Sequence, residues 1–148
     1  MSALVVLDTN TVMALWWWRD PALAPLSRAL DAGDLVPVAR ADTLDELSHV
    51  LAYRQFGIPP ERQAGLLAAY AARCRPCPPP ADGAAPLPRC RDDDDQKFLE
   101  VARDAGAELL ISRDKALLRV GRHSLLRGRF RVRTPESVCA ELESAGVA

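Results

Sequence analysis

The sequence has little of what would point directly to a partner. Aromatic residues make up 5% of its 148 residues, only two residues are histidine, and acidic and basic side chains nearly cancel to a net charge of −1. With 49% hydrophobic residues, this composition is typical of a folded globular protein and excludes wholesale disorder. The net charge therefore identifies no partner.

A long hydrophobic run is also missing at the N-terminus. The apolar segment of MSALVVLD stops at Asp8 and no basic residue precedes it, so it lacks the length and the flanks of a signal peptide or a membrane span. We therefore expect a cytoplasmic protein with no membrane segment. A chain of this length buries about two thirds of its unfolded surface in one core, which predicts a single domain over residues 1–148.

Cysteine is scarce and poorly placed for a structural metal site. Cys74 and Cys77 form the pair CRPC, but Cys90 and Cys139 stand alone, and no second pair or nearby histidine completes a tetrahedral zinc site. Pro76 lies inside the pair and further prolines follow, where a redox motif needs a helix. We expect free thiols, in keeping with a cytoplasmic location.

Histidine offers no metal site either. Glu46 and His49 form an E-x-x-H pair, which ligates two irons in helix bundles, but that use requires a second copy of the motif. The only other histidine, His123, has no acid at the corresponding position. We interpret His49 as a helix-surface residue or as a neighbour of a site formed by other residues.

The sequence does contain a regular alternation of buried strands and amphipathic helices. Apolar runs and period-two patterns predict strands at residues 3–8, 34–40, 107–112 and 129–134. Helical periodicity predicts a helix that begins after Asp8, and further helices at residues 41–56, 59–74, 98–105, 113–121 and 135–144. This order predicts a three-layer α/β/α fold with a mainly parallel central sheet.

One long segment has neither periodicity. Residues 76–88 hold six of the chain's twelve prolines, which excludes a helix or a central strand there. We therefore predict a loop over this segment, with a short edge strand possible just before it, near residues 74–77.

Four acidic residues occupy positions where such a fold places its chemistry, beyond the carboxyl ends of the strands. Asp8 follows the first strand, and Asp114 follows the strand that ends near Ile111. Asp95 opens the helix that leads to that strand, and Glu46 lies within a helix next to apolar residues. Each acid alone has an ordinary explanation as a helix cap or a surface charge. Their positions on one rim of one sheet instead favour a shared site.

Mutual repulsion would make such a site dependent on a cation. Two carboxylates about 6 Å apart repel by roughly 3 kcal/mol, and the pairs among four acids sum to roughly 15–20 kcal/mol, more than the net stability of about 5–15 kcal/mol of a domain. Without a cation, some acids must protonate or move apart. Because the candidate ligands are all oxygens, the expected ion is Mg²⁺ or Mn²⁺.

A divalent ion held in this way predicts phosphodiester hydrolysis, because it binds a phosphate oxygen and orients a water for attack. Thr9, Asn10 and Ser112 flank the acids in the sequence. They are candidates to orient ligands or water, although each is equally explained as a cap or turn residue.

The segments that carry these acids resemble the PIN-domain family, most closely its branch of VapC-like toxin components of toxin-antitoxin systems. LDTN alone is a weak motif, whereas CRDDDDQKFLEVA, AELLISRDKALL and RTPESVCAEL in this order are much more specific. The resemblance extends from about Leu4 to Leu142. Asp92 matches an additional acid of this branch, and Ser112 matches the hydroxyl before the last acid. The family's acidic quartet falls on Asp8, Glu46, Asp95 and Asp114.

By this resemblance, the protein is expected to be a Mg²⁺- or Mn²⁺-dependent endoribonuclease that is held inactive by a small antitoxin and that forms a homodimer. All four quartet positions are acidic, so they give no sign of an inactive copy. Asp93 stands where this branch often has proline. The change adds charge and frees the backbone, which leaves the geometry of the acidic run open.

Two other functions remain open on the sequence alone. Asp8 is placed as in phosphatases with a nucleophilic aspartate after the first strand, but those enzymes usually need a second acid two residues later, where this chain has Asn10. The other alternative is a non-catalytic RNA- or protein-binding module whose acids are only solvated caps. That module would not respond to metal.

Basic residues are concentrated in one late segment. From Arg113 to Arg133 the chain has eight arginines or lysines and one acid. Arg129, Arg131 and Arg133 alternate with apolar residues, so a strand there would direct three guanidinium groups to solvent. These arginines form either a phosphate track for RNA, together with Arg113 and Lys115, or a charged edge strand that prevents aggregation.

Three consecutive tryptophans cannot face one side of a helix, since successive residues rotate by about 100°. Trp16 continues the core stripe, so at least one of Trp17 and Trp18 is expected near the surface. Exposed tryptophan is a frequent interface anchor. This favours a contact with a second copy of the chain or with an antitoxin over packing beneath the proline-rich loop.

Overall fold

One five-stranded sheet lies at the centre of the computed structural model, which describes residues 2–146. Its strands are β1 (Ala3–Leu7), β2 (Leu35–Ala39), β3 (Arg75–Pro76), β4 (Leu109–Ile111) and β5 (Arg131–Arg133). They lie in the order β3-β2-β1-β4-β5, and each neighbouring pair is parallel. The carboxyl ends of all these strands therefore meet at one edge of the sheet.

Helices cover both faces of this sheet. They are α1 (Thr9–Val12), α2 (Ala24–Ala32), α3 (Ala41–Leu51), α4 (Pro60–Arg73), α5 (Gln96–Ala105), α6 (Lys115–Val120) and α7 (Pro135–Gly146). Side chains alternate along β1, so Val5 and Leu7 pack with α1 to α4 and α7, whereas Val6 packs with α5 and α6. This arrangement confirms the predicted three-layer α/β/α fold. Within residues 2–146, no helix combines the length and the apolar character that a membrane crossing needs.

Helix α2 has no counterpart among the predicted elements. It follows a single turn of 3-10 helix, Pro21–Leu23, and it buries Leu26, Ala29 and Leu30. Pro25 lies in its first turn, where the missing N–H would be unpaired in any case. The buried residues recur three and four positions apart, as in a helix, so the period is present in the sequence although the helix was not predicted.

Several predicted elements are shorter in the structure, among them the strand predicted over residues 107–112, which is present as Leu109–Ile111. The helix predicted over residues 41–56 ends at Leu51, and a separate 3-10 turn covers Arg54–Phe56. The strand predicted from Arg129 begins only at Arg131. The possible edge strand near residues 74–77 is present as β3, which pairs with the end of β2. Element type was thus predicted correctly in these segments, whereas element length was not.

Trp16 and Trp17 lie in a π-helical turn, Met13–Trp17, that continues α1, and Trp18 follows it directly. The ring of Trp16 contacts Tyr70 edge-on, with ring centroids 5.1 Å apart. Trp18 is 52% exposed, which confirms the expected surface position. Trp16 and Trp17 pack on the face of the sheet opposite Leu87 of the proline-rich loop. Packing beneath that loop is therefore wrong, and an interface at Trp18 remains a prediction.

Hydrogen bonds from two side chains, Gln96 at the start of α5 and Arg129 before β5, hold the end of the proline-rich loop. Gln96 is buried, and its amide accepts from the N–H of Cys90 at 2.7 Å and donates to the carbonyl of Pro88 at 3.1 Å. Arg129 donates to the carbonyl of Pro86 at 2.7 Å. These bonds hold the backbone that leads into the acidic run, so that run begins at a defined place.

Gly121 directly follows α6, the helix that begins after Asp114, and its lack of a side chain allows α6 to pack closely on β5. A Cβ at Gly121 would lie 2.7 Å from the Cβ of Val132, closer than packed carbon atoms approach. Gly121→Ala is therefore expected to lower the free energy of unfolding by about 1–3 kcal/mol. Chemical denaturation followed by circular dichroism measures this change.

Gly65→Ala is the matched control. This glycine is exposed within α4, and nothing lies within 4 Å of an added Cβ. Alanine there is expected to raise the free energy of unfolding by up to about 1 kcal/mol, because it is the better helix former. The same change in both variants would contradict close packing of α6 on β5.

Candidate active site

Asp8 and Asp114 cap helices at the carboxyl ends of neighbouring strands. Asp8 follows β1 and accepts a hydrogen bond from the backbone N–H of Thr11 at 2.9 Å. Asp114 precedes α6 and accepts from the N–H groups of Ala116 at 2.8 Å and Leu117 at 3.1 Å. The ordinary explanation of both acids as caps is therefore correct. Because β1 and β4 are paired, the two caps also lie at the same edge of the sheet.

Ser112 links these two acids. Its side chain is fully buried, and its hydroxyl donates to the carboxylate of Asp8 and accepts from the backbone N–H of Asp114 at 2.9 Å. The hydroxyl of Thr11 adds a second connection by donating to the carbonyl of Ile111 at 3.2 Å. The turns after β1 and β4 are thus held together, and the orientation of the Asp8 carboxylate is fixed.

Glu46 extends from α3 toward the same edge, and both of its oxygens are engaged. The hydroxyl of Thr9 donates to one oxygen, and the ammonium of Lys97 donates to the other at 2.7 Å. Lys97 belongs to α5 and also donates to the carbonyl of Asp94. His49, one turn further along α3, is exposed, as the helix-surface interpretation predicted. Glu46 therefore connects α1, α3 and α5.

Asp95 lies directly before α5 and is influenced by all of the other acids. Partial burial, together with the negative charges of four other acids, raises its pKa to about 6; these acids are Asp114, Asp92, Glu46 and Asp8. Repulsion of this kind acts only between carboxyl groups that lie near one another. The structure thus brings the four acids of the predicted quartet to one edge of the sheet.

Asp8 is the most buried of these acids, at 6% exposure. Burial raises its pKa, hydrogen bonds from Ser112 and Thr11 oppose this change, and the charge of Asp114 adds to it. The resulting pKa is above the ordinary value, because the loss of hydration outweighs the hydrogen bonds. A nearby cation would therefore stabilise both Asp8 and Asp95 as carboxylates.

The chemistry of this cluster suits a hard divalent ion, although the acids do not enclose one by themselves. The candidate ligands are carboxylate oxygens, which Mg²⁺ and Mn²⁺ prefer. Among residues 2–146, no three acidic, histidine or cysteine side chains are grouped closely enough to hold a metal ion. Asp8, Glu46 and Asp114 instead accept hydrogen bonds from the protein. The arrangement fits an ion that keeps several waters and contacts one or two carboxylates, as Mg²⁺ commonly does.

The polar residues that flank the acids differ in accessibility. Thr9 is buried in contact with Glu46, whereas Asn10 is exposed. Asp92 is also exposed, and it caps the turn before α5 by accepting from the N–H of Asp94 at 2.9 Å. Thr9, like Ser112, thus contacts an acid of the cluster directly.

The arginines around β5 are largely engaged with the protein itself. Phe130 is buried and Arg131 is exposed, as the alternation predicted, but Arg129 and Arg133 are only half-exposed. Arg133, and at 3.8 Å Arg131, pair with Glu141 of α7. These contacts are consistent with a protected edge strand, and RNA binding by the three arginines remains a prediction.

Arg113 and Lys115 flank Asp114 at the edge of the sheet. Arg113 forms ion pairs with Glu136 and, at 3.3 Å, with Asp20. Lys115 is exposed at the start of α6. Among the residues predicted to contact RNA, Arg113 and Lys115 are therefore the two that directly adjoin an acid of the cluster in the sequence.

Two residues that shape the cluster were not predicted from the sequence. Gln96 fixes the backbone before the acidic run, and Lys97 reaches Glu46 from another helix. Both resemble ordinary residues of a helix surface. The only signal for them is their position directly after Asp95, since a partner on a distant segment leaves no pattern in the local sequence.

The raised pKa of Asp95 predicts a pH dependence of stability without metal. Between its ordinary pKa of 3.8 and its folded pKa of about 6, the unfolded chain releases a proton that the folded chain retains. The free energy of unfolding therefore falls as the pH rises through this range. In EDTA, Asp95→Asn is expected to raise that free energy by about 1 kcal/mol at neutral pH, after allowance for solvent screening, and by much less near the ordinary pKa.

Asp93→Asn is the control for this measurement by denaturant unfolding. Asp93 lies in the same acidic run, but its side chain is 86% exposed and pairs with Arg89. Asp93→Asn is expected to leave the free energy of unfolding unchanged at neutral pH. If both variants responded alike to pH, proximity of the acids would not be the cause.

Comparison with known proteins agrees with this geometry. A model of the PIN domain, a superfamily of nucleases, matches residues 4–116, about three quarters of the chain. The structure is similar to that of PAE2754 from Pyrobaculum aerophilum, with a TM-score of 0.58 and 16% identity over 96% of this chain and 90% of that one. At this identity, the likeness shows the fold alone. No curated protein sequence gives a significant match. By the family match, which includes all four acids of the cluster, the chain belongs to the PIN domain family.

Proposed function

We propose that this protein is a Mg²⁺- or Mn²⁺-dependent endoribonuclease in which Asp8, Glu46, Asp95 and Asp114 bind the ion, with Asp92 as an additional ligand. One observation carries the proposal: the buried hydroxyl of Ser112 joins Asp8 to Asp114, and these acids lie near enough to Asp95 for their charges to raise its pKa. Helix capping does not require such neighbours, and repulsion among them lowers stability. In a chain of a nuclease family, a bound cation is the best explanation of acids gathered in this way.

The chain's own residues have separate tasks in this reaction. A bound divalent ion would polarise the scissile phosphate and lower the pKa of a water molecule. Ser112 keeps the carboxylate of Asp8 oriented, and Thr9 does the same for Glu46.

RNA is the proposed substrate because basic residues adjoin the acids. Lys115 is exposed beside Asp114 and is available for a phosphate of the strand, with Arg113 next to it. Arg129, Arg131 and Arg133 are proposed as more distant phosphate contacts. Binding of this kind is independent of base sequence and weakens as salt is added.

We further propose that the nuclease is the toxin of a type II toxin-antitoxin pair and that it acts in the cytoplasm as a homodimer. The resemblance of the segments around the acids to VapC-like proteins supports the toxin role. Trp18, exposed and in edge contact with Phe56 at 5.5 Å between ring centroids, is the proposed anchor for a second copy or for the antitoxin.

The observations favour a nuclease over an aspartate-nucleophile phosphatase. The carboxylate of Asp8 is buried and accepts bonds from Ser112 and Thr11, whereas a nucleophile must reach the phosphorus atom. Asn10 also replaces the second acid of those enzymes. A non-catalytic module is separated by its metal response, because an ion at about 100 times its dissociation constant adds about 2.7 kcal/mol of stability.

Cleavage of a generic single-stranded RNA tests the proposal. The wild type is expected to cleave it with Mg²⁺ or Mn²⁺ and to stop when EDTA is added. Asp95→Asn is expected to lower the cleavage rate by at least about 100-fold, since it removes a charge from the cation site. A gel of labelled RNA, sampled over time, measures both rates.

Asp93→Asn provides the matched control, because Asp93 belongs to the same run but is not a proposed ligand. Its rate is expected to stay near that of the wild type. Equal cleavage by wild type and Asp95→Asn would indicate a contaminating nuclease and would remove the support for this active site.

A further inference from the structure

Lys97 places a positive charge inside the acidic cluster. Its side chain is 15% exposed, and its ammonium lies 2.7 Å from an oxygen of Glu46. The same ammonium donates to the carbonyl of Asp94, the neighbour of Asp95. The charge therefore lies between α3 and the start of α5, two segments whose acids repel each other.

A lysine at this position is unusual for this sequence. Of its nineteen basic residues, only Lys97 and Lys115 are lysine, and the others are arginine. Arginine presents a planar fork of donors, whereas the lysine ammonium is a compact charge with three donors. Two separate oxygens, one carboxylate and one carbonyl, accept from Lys97. A compact ammonium group can donate to both oxygens at once.

Lys97 also has an apolar contact that must be separated from the effect of its charge. Its ammonium lies 5.2 Å from the ring centre of Phe98, which is buried. Packing of the side-chain stem near this ring would persist if an uncharged residue of similar length replaced the lysine. Methionine is such a residue, so Lys97→Met removes the charge and keeps most of the apolar contact.

We propose that Lys97 is a positioning residue that acts through Glu46. It holds this carboxylate at the cluster, and it supplies the positive charge that the acids need when no divalent ion is bound. The inference rests on the proposed function in one respect, because Glu46 is there assigned as a ligand of the ion. A bound ion takes over part of the neutralisation, so the contribution of Lys97 falls when the ion is present.

A double-mutant cycle in EDTA tests this role without metal and without activity. The melting temperature is measured for the wild type, Lys97→Met, Glu46→Gln and the double variant. Lys97→Met alone is expected to lower it by about 2–4 °C, whereas the same substitution in the Glu46→Gln background changes it by less than about 1 °C. Lys97→Arg keeps the charge and is expected to recover part of the loss.

An equal loss from Lys97→Met in both backgrounds would overturn the proposal, because Lys97 would then contribute packing alone. Lys115→Met is the control. Lys115 is the other lysine of the chain and is exposed beside Asp114. Lys115→Met is expected to change the melting temperature by the same small amount in the wild-type and Glu46→Gln backgrounds. A coupling of Lys115 to Glu46 as large as that of Lys97 would contradict a specific role of Lys97.

The same cycle with Mn²⁺ separates this inference from the proposed function. Mn²⁺ is expected to raise the melting temperature of Lys97→Met more than that of the wild type, and the coupling between Lys97 and Glu46 is expected to shrink. If Mn²⁺ stabilised no variant, the metal dependence of the proposed function would be wrong. The cycle in EDTA would still decide whether Lys97 acts through Glu46.

Discussion

Repulsion among carboxylates at the carboxyl edge of the sheet is the constraint on which this site depends. Net stabilities of about 5–15 kcal/mol leave little room for several uncompensated charges. The chain compensates three of the four acids differently: a hydroxyl of Ser112 holds Asp8, an ammonium of Lys97 holds Glu46, and Asp95 retains its proton up to a pH of about 6. The chain's own groups thus offset part of the repulsion, and the ion of the proposed function would have to supply only the remainder.

Much of the fold was predictable because local and global signals agree. A run such as ALVVLD is hydrophobic without alternation, which is typical of a strand buried on both faces, and β1 is central in the sheet. Helix α2 was missed although Leu26, Ala29 and Leu30 recur at helical spacing, because a proline in its first turn is equally typical of a loop. The lengths of α3 and β5 depend on where tertiary packing ends, and local patterns do not contain that information.

The proximity of these acids was predictable for a different reason. Asp8 and Asp114 follow strands directly, and parallel strands end at one edge, so their proximity follows from topology. The partners that orient and neutralise the acids were not predictable, because Lys97 and Glu46 are 51 residues apart and meet only when α5 packs near α3. The alternating arginines near β5 suggested exposed charge, but Glu141 of α7 pairs with two of them.

The most direct test of a shared ion at this edge is the broadening of amide NMR signals by substoichiometric Mn²⁺, which weakens steeply with distance from the ion. The account predicts that signals next to Asp8, Glu46, Asp95 and Asp114 broaden first and together. Signals near Asp34, an exposed acid just before β2 and so at the opposite edge of the sheet, should persist. Broadening that is centred elsewhere, or that is equal at all exposed acids, would contradict a common cation site.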